Sequence, residues 1–338
     1  MSMLKYILRR LLVMIPVLFG VLLITFVLSR MMPGDPIKAH LPQLFTDAQY
    51  QAARHRLGFD RPLWEQFFIY IGNLFTGNWG YSISINKGQA VWELIWQRFP
   101  RTIDIALFSM IIASFIGIKT GVISATHRNK AKDTIVRGFA LIGVSIPVFW
   151  LGLILQLTLA YRLGLFPAVG YKTLTHGEPP FITGFRIIDS LVSGEWYIIT
   201  DYIYHLALPV LCLSFITLAS ITRQTRSSML EVLQQDYVRT ARAKGCNEKD
   251  VINKHAKKNA LIPTVTVIGL NIGALLGGAV LTETTFNLHG VGELLIRAII
   301  DRDYYVINAI VFMITIVFIV VNLFTDLLYA HLDPRIKY

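Results

Sequence analysis

Six long apolar runs limit what this chain can fold into. Each run has about 20 residues with almost no charge, enough for a helix to cross a hydrocarbon core about 30 Å thick. Hydrophobic residues make up 54% of the 338 residues and charged residues only 16%, which is too apolar for an ordinary soluble domain. The sequence therefore predicts an all-α polytopic membrane protein with six transmembrane helices, at about residues 8–30, 102–125, 136–161, 204–222, 261–283 and 304–328.

Charge in the loops predicts the orientation of these helices. The loop 126–137 carries four basic residues against one acidic residue, and the loop 223–260 carries nine against four. The loop 162–203 instead carries three basic residues against four acidic ones. Because Lys and Arg collect in the cytoplasmic loops of membrane proteins, we expect both termini and the loop 223–260 to be cytoplasmic.

This topology divides the chain into three parts. The first apolar run is too long for a signal-peptide core, and no small-residue cleavage site follows it, so we expect an uncleaved first span. The parts are an N-terminal segment with the first span (1–30), an extracytoplasmic segment with short helices (31–101), and a five-span core (102–338) that contains the loop 223–260.

Two helices are predicted in the extracytoplasmic segment. Thr46 is a suitable N-cap for a first helix, and Gly58 a suitable stop. Pro62 begins a second one. That helix, at residues 62–75, carries Trp and Phe side chains along one side. We expect it either to lie at the membrane interface or to pack on the spans.

Several classes of function are disfavoured by what the sequence lacks. The net charge of +11 is accompanied by no aromatic and basic module typical of nucleic-acid binding. The two cysteines, Cys212 and Cys246, show no C-x-x-C spacing and are expected to be unpaired structural thiols. No chain of titratable residues crosses the spans, and no G-x-x-x-x-G-K-[ST] phosphate-binding loop is present. Energy for uphill transport would therefore have to come from another chain.

The fifth run carries a stripe of glycines. Gly269, Gly273 and Gly277 recur every four residues, so one helix face allows a second backbone to approach closely. The stripe indicates either ordinary helix packing or a span that rocks against a partner while it lines a pathway. Asn271 would add a polar group to such a pathway.

A basic helical hairpin lies between the fourth and fifth runs, in the stretch "DYVRTARAKGCNEKDVINKHAKKNALIP" at 236–263. Gly245 can end the first helix in a left-handed conformation, Asn247 can cap the second, and Pro263 suits the first turn of the following span. The charges exclude the hairpin from the bilayer core. It is expected either to hold anionic lipid or to dock on a cytoplasmic partner.

This stretch resembles the cytoplasmic coupling loop of ABC-importer permeases, whose signature is E-A-A, three residues, Gly, and a later I-x-L-P. The corresponding residues here are Arg239-Thr240-Ala241, Gly245 and Leu261-Ile262-Pro263. Arg and Thr replace Glu and Ala, and the spacing to the proline is longer. Both departures are typical of the peptide/nickel branch, where "YVRTARAKG" followed by "HAxxNALIP" is usual.

The resemblance extends over nearly the whole chain, to the first permease of the pair in that branch. One departure lies in "ETTFNLHGVGEL" at 283–294, where His289 replaces a proline that the family usually has, so we expect a differently shaped outer turn. The other matching stretches are "MLKYILRRLL" at the start, "MMPGDP" at 31–36, "RFPRT" at 98–102, "SIPVFWLGLIL" at 145–155, "LGLFPAVGY" at 163–171 and "DLLYAHLDPRI" at 326–336.

The resemblance implies a subunit of an importer in a prokaryotic cell (inner) membrane. The implied partners are a second permease, two ATP-binding subunits, an extracytoplasmic binding protein and the lipid bilayer. ATP and Mg²⁺ would bind the partner subunits, with no cofactor and no ATPase site in this chain. The residues expected to couple to an ATP-binding subunit are Arg239, Thr240, Ala241, Arg242, Lys244, Gly245 and Asn247.

Di- and oligopeptides are the expected substrates, because that role is frequent in the branch, with oligosaccharides and nickel chelates as alternatives. Other classes of function also stay open. An ion-coupled secondary transporter or channel would transport without ATP. A membrane-embedded enzyme would need a cluster near His205, Glu283 and His289, whose spacing shows no ligand pattern. A scaffold or receptor would not transport.

Overall fold

The computed structural model of the chain describes residues 3–31, 35, 37–38, 41–42 and 44–332. Within these residues the structure is helical, and its β-structure is limited to one antiparallel bridge between Tyr81 and Ala90. The helices are α1 (Met3–Met31), α2 (Asp47–Arg56), α3 (Leu63–Phe75), α4 (Val91–Trp96), α5 (Phe99–Thr126), α6 (Ala131–Ser145), α7 (Val148–Leu155, continued by a π-helical turn over Gln156–Arg162), α8 (Arg186–Ser193), α9 (Trp196–Val232), α10 (Asp236–Ala243), α11 (Glu248–Asp250, continued by a π-helical turn over Val251–Ala256), α12 (Lys257–Phe286), α13 (Val291–Ile300) and α14 (Tyr304–Leu332).

Five helical segments of the described chain are long and apolar enough to cross a membrane, and a bent pair makes a sixth if it counts as one span. The predicted all-α class with several membrane helices is confirmed. The fourth predicted span is longer than expected, since α9 continues to Val232 and includes the start of the predicted loop. The five segments are Ile7–Met31, Val91–Thr126, Trp196–Val232, Glu248–Leu275 and Tyr304–Leu328.

The third predicted span, 136–161, is not a continuous helix. Its two halves, Ala131–Ser145 and Val148–Arg162, are bent by 107°. The break lies at Ile146, which has an extended ψ of 128° and is followed by Pro147. Proline lacks an amide hydrogen and sterically disfavours the helical conformation in the preceding residue. The predicted third span is therefore a bent pair of helices, which counts as a sixth span only if the pair is taken as one.

Glycines of α5 allow close packing between α5 and α9. A β-carbon added at Gly121 would lie 2.8 Å from the carbonyl oxygen of Thr222 and 2.6 Å from Cβ of Thr225. One turn away on the same face, a β-carbon at Gly117 would lie 2.9 Å from a methyl group of Ile221. Without a hydrophobic driving force between helices in lipid, such small residues let two backbones come into van der Waals contact.

The segment between α1 and α5 is folded against α1 and α14. Thr46 and Gln49 form a capping box at the start of α2, and Gly58 has a φ of +71° after its end, as predicted. After α3, the carboxylate of Asp303 accepts hydrogen bonds from the hydroxyl of Ser82 at 2.6 Å and from the amide of Ile83 at 3.0 Å. Within the motif at 31–36, residues 32–34 and 36 lie outside the described residues.

Replacing Gly121 with alanine should destabilise the bundle. The new methyl group would press on the carbonyl oxygen of Thr222, which is backbone and cannot rotate away, so we expect Gly121→Ala to cost about 1–3 kcal/mol. Gly138→Ala is the matched control, because a β-carbon at Gly138 meets nothing within 4 Å. Thermal unfolding in detergent should give a lower midpoint for the first variant only. Equal midpoints would contradict the contact.

Candidate functional site: a basic hairpin and a cavity in the helix bundle

The basic hairpin has the local structure that its sequence predicts. After α10 and its C-cap Lys244, Gly245 takes a φ of +79°, a left-handed conformation that side chains disfavour. Asn247 caps α11 by accepting a hydrogen bond from the amide of Lys249 at 3.1 Å. The second arm then continues without interruption into α12. Pro263 therefore lies inside α12 and not in its first turn, which corrects the predicted start of that span.

The hairpin is packed on the ends of α5 and α9 through a small apolar cluster. Ala125 of α5 and Met229 of α9 contact the hairpin residues of this cluster, which are Val238, Ala241, Val251, Ala256 and Ala260. Ala241 is only 7% exposed, so its methyl group faces the interior of the hairpin. Small side chains at these positions let the two arms approach the bundle closely. The hairpin is therefore an extension of the bundle and not a free loop.

Polar contacts fix the two arms of the hairpin to each other. The guanidinium of Arg242 donates to both carboxylate oxygens of Glu248, at 3.1 and 2.8 Å, and this raises the pKa of Arg242. Across the base, the Asn259 amide donates to the Tyr237 hydroxyl at 2.8 Å. Arg242 is thus engaged within the hairpin and is less available to a partner than the sequence suggests.

The other predicted coupling residues form the exposed tip of the hairpin. The side chain of Arg239 is 70% exposed, and its nearest carboxylate is that of Asp236 at 3.7 Å. Thr240 is exposed and donates its hydroxyl to the carbonyl oxygen of Asp236. Lys244, Gly245, Cys246 and Asn247 are exposed as well.

A buried ion pair at the same end of the bundle was missed in the sequence. Asp133, at the start of α6, is fully buried and accepts two hydrogen bonds from the guanidinium of Arg226 on α9, at 2.8 and 3.0 Å. It also accepts from the hydroxyl of Ser124 at 2.5 Å and from the amide of Asn129 at 3.0 Å. Four donors satisfy the carboxylate and tie α5, α6 and α9 together. The sequence signal for this ion pair was Asp133 itself, because it is the single acidic residue of the basic loop 126–137. It also lies close to the start of a predicted helix.

Asn271 lines a cavity between α6, α7, α9 and α12 whose other walls are mostly apolar. Its side-chain amide donates to the hydroxyl of Ser220 at 2.8 Å. The cavity has a volume of about 320 Å³, and the bend between α6 and α7 forms one wall. Its polar lining consists of Asn271, Ser220, Thr217 and Arg223. The arrangement can hold a small polar solute beside a positive charge.

The glycine stripe lies on a different face of α12 from Asn271. A β-carbon at Gly269 would lie 2.0 Å from a methyl group of Thr325, and one at Gly273 would lie 2.5 Å from the ring of Phe318. Both neighbours belong to α14 of the same chain, so these two glycines are packing positions. The side-chain surroundings of Gly277 lie outside the described part of the chain.

The residues considered for an enzyme do not form a catalytic cluster. Glu283 is buried and accepts hydrogen bonds from the hydroxyl of Thr102 at 2.6 Å and from the amide of Glu293 at 3.0 Å. His205 lies on α9, where its ring contacts the carbonyl oxygen of Asp201. No group of three or more His, Cys, Asp or Glu suited to a metal occurs among the described residues.

The turn before α13 differs from the pattern with proline, as expected. His289 has a φ of +52°, and proline cannot adopt a positive φ because its ring holds this angle near −65°. Burial lowers the pKa of His289. The carbonyl oxygen of His289 accepts a hydrogen bond from Arg101 at 2.9 Å, which ties the turn to the start of α5.

Comparison with known proteins identifies the family. The family described as "Binding-protein-dependent transport system inner membrane component" matches residues 117–338, and its N-terminal counterpart matches residues 3–106. The chain belongs to this family. Members of this family are inner membrane components of transport systems. This agrees with the predicted location and with the resemblance of the sequence to ABC-importer permeases.

Relatives in the family cover the full chain. It is 44% identical to the dipeptide transport system permease protein DppB of Alkalihalophilus pseudofirmus, over 99% of this chain and 100% of that protein. It is 45% identical to the di/tripeptide permease DppB of Pseudomonas aeruginosa, over 99% of both chains. It is 39% identical to the oligopeptide permease AppB of Bacillus subtilis, over 99% of this chain and 100% of that protein.

A solved structure supports the fold. An inward-facing form of the MetNI methionine ABC transporter superposes with a TM-score of 0.54 at 15% identity, over 71% of this chain and 97% of that chain. At this identity the likeness concerns the fold of the family core.

A charge placed at Ala241 should open the hairpin. Ala241→Asp would bury a carboxylate without partners in the apolar cluster, at a cost of about 1–3 kcal/mol or more. Thr240→Asp is the matched control, since the neighbouring Thr240 side chain is exposed. Hydrogen exchange of residues 236–260 should rise about tenfold or more in the first variant only. Unchanged exchange in Ala241→Asp would contradict the inward orientation of this residue.

Proposed function

We propose that this chain is the first permease of the pair in an ABC importer that carries di- or oligopeptides. The observation that carries the proposal is the full-length similarity, at 39 to 45% identity, to dipeptide, di/tripeptide and oligopeptide permeases from three organisms. The hairpin supports the same assignment, because a packed basic hairpin with an exposed glycine turn is suited to docking on a partner.

The proposed assembly contains this chain, a second permease, two ATP-binding subunits and an extracytoplasmic binding protein. ATP and Mg²⁺ bind the ATP-binding subunits, and this chain contributes no ATPase site. Both termini and the hairpin are cytoplasmic, whereas the segment 31–101 is extracytoplasmic. The loop charges support this orientation, with nine basic residues against four acidic ones in 223–260.

In this proposal the hairpin transmits the work of ATP hydrolysis. Gly245 and the exposed residues beside it seat in a groove of an ATP-binding subunit, and Arg239 and Lys244 contact its carboxylates. The apolar cluster and the continuous helix from Glu248 to Phe286 support a rigid connection to the spans. A partner that binds one conformation of the pair more tightly thereby shifts the permease between inward-open and outward-open states.

The cavity beside Asn271 belongs to the proposed pathway. Its hydroxyl and amide groups are suited to peptide bonds, and Arg223 is suited to the carboxylate of a peptide that leaves toward the cytoplasm. The bend at Pro147 supports this placement, because irregular backbone at membrane depth is tolerated where it lines a cavity.

The native Cys246 offers a test of the orientation. Cys246 is exposed at the hairpin, while Cys212 is buried in α9 and serves as an internal unreactive control. In cells that express this permease without the ATP-binding subunits, a membrane-impermeant maleimide should label Cys246 in inverted membrane vesicles but not in intact spheroplasts. The variant Cys246→Ser should abolish the labelling. Labelling from the outside of spheroplasts would overturn the proposed topology.

Charge reversal at the hairpin tip tests the coupling. In the assembled importer, Arg239→Glu combined with Lys244→Glu should lower ATP-driven peptide uptake about tenfold or more, because each change places like charges in the contact. Lys87→Glu, at an exposed position of the segment 31–101, is the matched control and should leave uptake unchanged. The same preparations should retain basal ATP hydrolysis.

Two results would refute the proposal at different levels. Normal uptake by an assembled importer with the double reversal would remove the hairpin tip from the coupling. Accumulation of peptide by the isolated chain in liposomes without ATP would refute the ABC-importer function itself. Measurement of the ligand held by the partner binding protein would separate peptides from oligosaccharides and nickel chelates.

A further inference from the structure

The antiparallel helices α1 and α14 provide a scale of depth in the membrane. At one end, Arg10 forms an ion pair with Asp326 at 3.0 Å. At the other end, Arg30 and Tyr305 line the same cavity. The 20 residues from Arg10 to Arg30 span about 30 Å of helix, which is the thickness of a hydrocarbon core. The apolar layer therefore extends between these two arginines.

The first half of α3 contacts the apolar part of α1. The ring of Phe67 lies 5.5 Å from that of Phe19 and 5.3 Å from that of Phe26, between centroids. Phe26 lies four residues before Arg30, and Phe19 lies near the middle of α1. Phe67 is therefore well inside the apolar layer and not at its surface.

The second half of α3 reaches a similar depth. Leu74 is buried in one cluster with Leu22 of α1 and Phe312 of α14. Leu22 lies eight residues before Arg30, and Phe312 lies seven residues after Tyr305. At 1.5 Å per residue, both positions are about 10–12 Å inside the end of the apolar layer. α3 thus crosses α1 and α14 at a roughly constant level.

Three of the last four carbonyl groups of α3 accept hydrogen bonds within the chain, which favours a low-dielectric surrounding. The hydroxyl of Thr76 donates to the carbonyl oxygens of Gly72 at 2.9 Å and Asn73 at 3.2 Å. The indole N–H of Trp79 donates to the carbonyl oxygen of Leu74 at 3.0 Å. These three carbonyl groups do not depend on water for a hydrogen bond.

The polar and apolar faces of α3 are separated. Gln66, Tyr70 and Asn73 line a cavity of about 370 Å³, whose other lining residues include three arginines: Arg30, Arg56 and Arg61. The face away from this cavity exposes large aromatic side chains. Trp64, Phe68 and Phe75 are 65%, 62% and 60% exposed.

We propose that α3 is inserted in the outer leaflet, parallel to the membrane plane, and that lipid acyl chains cover Trp64, Phe68 and Phe75. The exposed face of α1 continues this surface at the same level, with Leu23, Ile24 and Val27 also exposed. A soluble partner cannot reach a surface about 10 Å below the headgroups, so the acyl chains are the occupant. The arginine-lined cavity then lies at headgroup level, above the polar face.

Site-directed spin labelling in the assembled importer, reconstituted in phospholipid nanodiscs, tests this depth. A nitroxide is attached after Phe68→Cys in a Cys246→Ser background, with partner subunits that lack reactive cysteines. Leu23→Cys is the control for the expected depth, and Ala48→Cys on exposed α2 is the control for water. Collisions of the nitroxide with dissolved oxygen report its exposure to lipid. Collisions with a water-soluble nickel chelate report its exposure to water. The ratio of oxygen to nickel collision rates at position 68 should match the ratio at position 23. It should exceed the ratio at position 48 about tenfold.

A ratio at position 68 equal to that at position 48 would overturn the proposal. So would protection of position 68 from the nickel chelate only after addition of the binding protein, because that result would assign the aromatic face to a protein partner. Neither outcome depends on peptide uptake, so the depth of α3 can fail while the proposed transport function stands.

Discussion

The absence of water in the hydrocarbon core is the constraint on which the rest of this structure depends. Backbone groups at that depth must be satisfied within the chain, so the spans are helices and their interfaces rely on close packing. Gly121 of α5 lies against the backbone of α9 for this reason. The sharp bend before Pro147 lies beside a cavity.

The same constraint explains how the hairpin can act on the spans. Its charges exclude it from lipid, yet an apolar cluster joins it to α5 and α9. The second arm continues helically into α12, so in the proposed mechanism movement of the tip is passed directly to a span. The buried pair of Asp133 and Arg226 holds α6 to α9 nearby, and these helices line the cavity that contains Asn271.

At the opposite end, the segment between α1 and α5 is attached to the bundle by two kinds of contact. Asp303 binds the loop at Ser82 and Ile83 through hydrogen bonds. α3 packs aromatic rings on α1 and α14 below the level of Arg30. In the proposed topology, a segment held in this way presents a fixed surface to an extracytoplasmic partner. The proposed insertion of α3 would also connect that surface directly to the bilayer.

Much of this molecule follows from local patterns in the sequence. Long uncharged runs indicated the membrane helices, and Thr46, Gly245 and Asn247 indicated helix ends, because hydropathy and capping depend on neighbours along the chain. Only the tertiary structure decided which face a side chain presents and what it meets. In the folded chain, Ala241 faces the hairpin interior, Gly269 packs on α14 and Asn271 lines a cavity. Asp133 pairs with Arg226, 93 residues away. Those outcomes depend on how separate helices pack, and no periodicity within one helix specifies its partner.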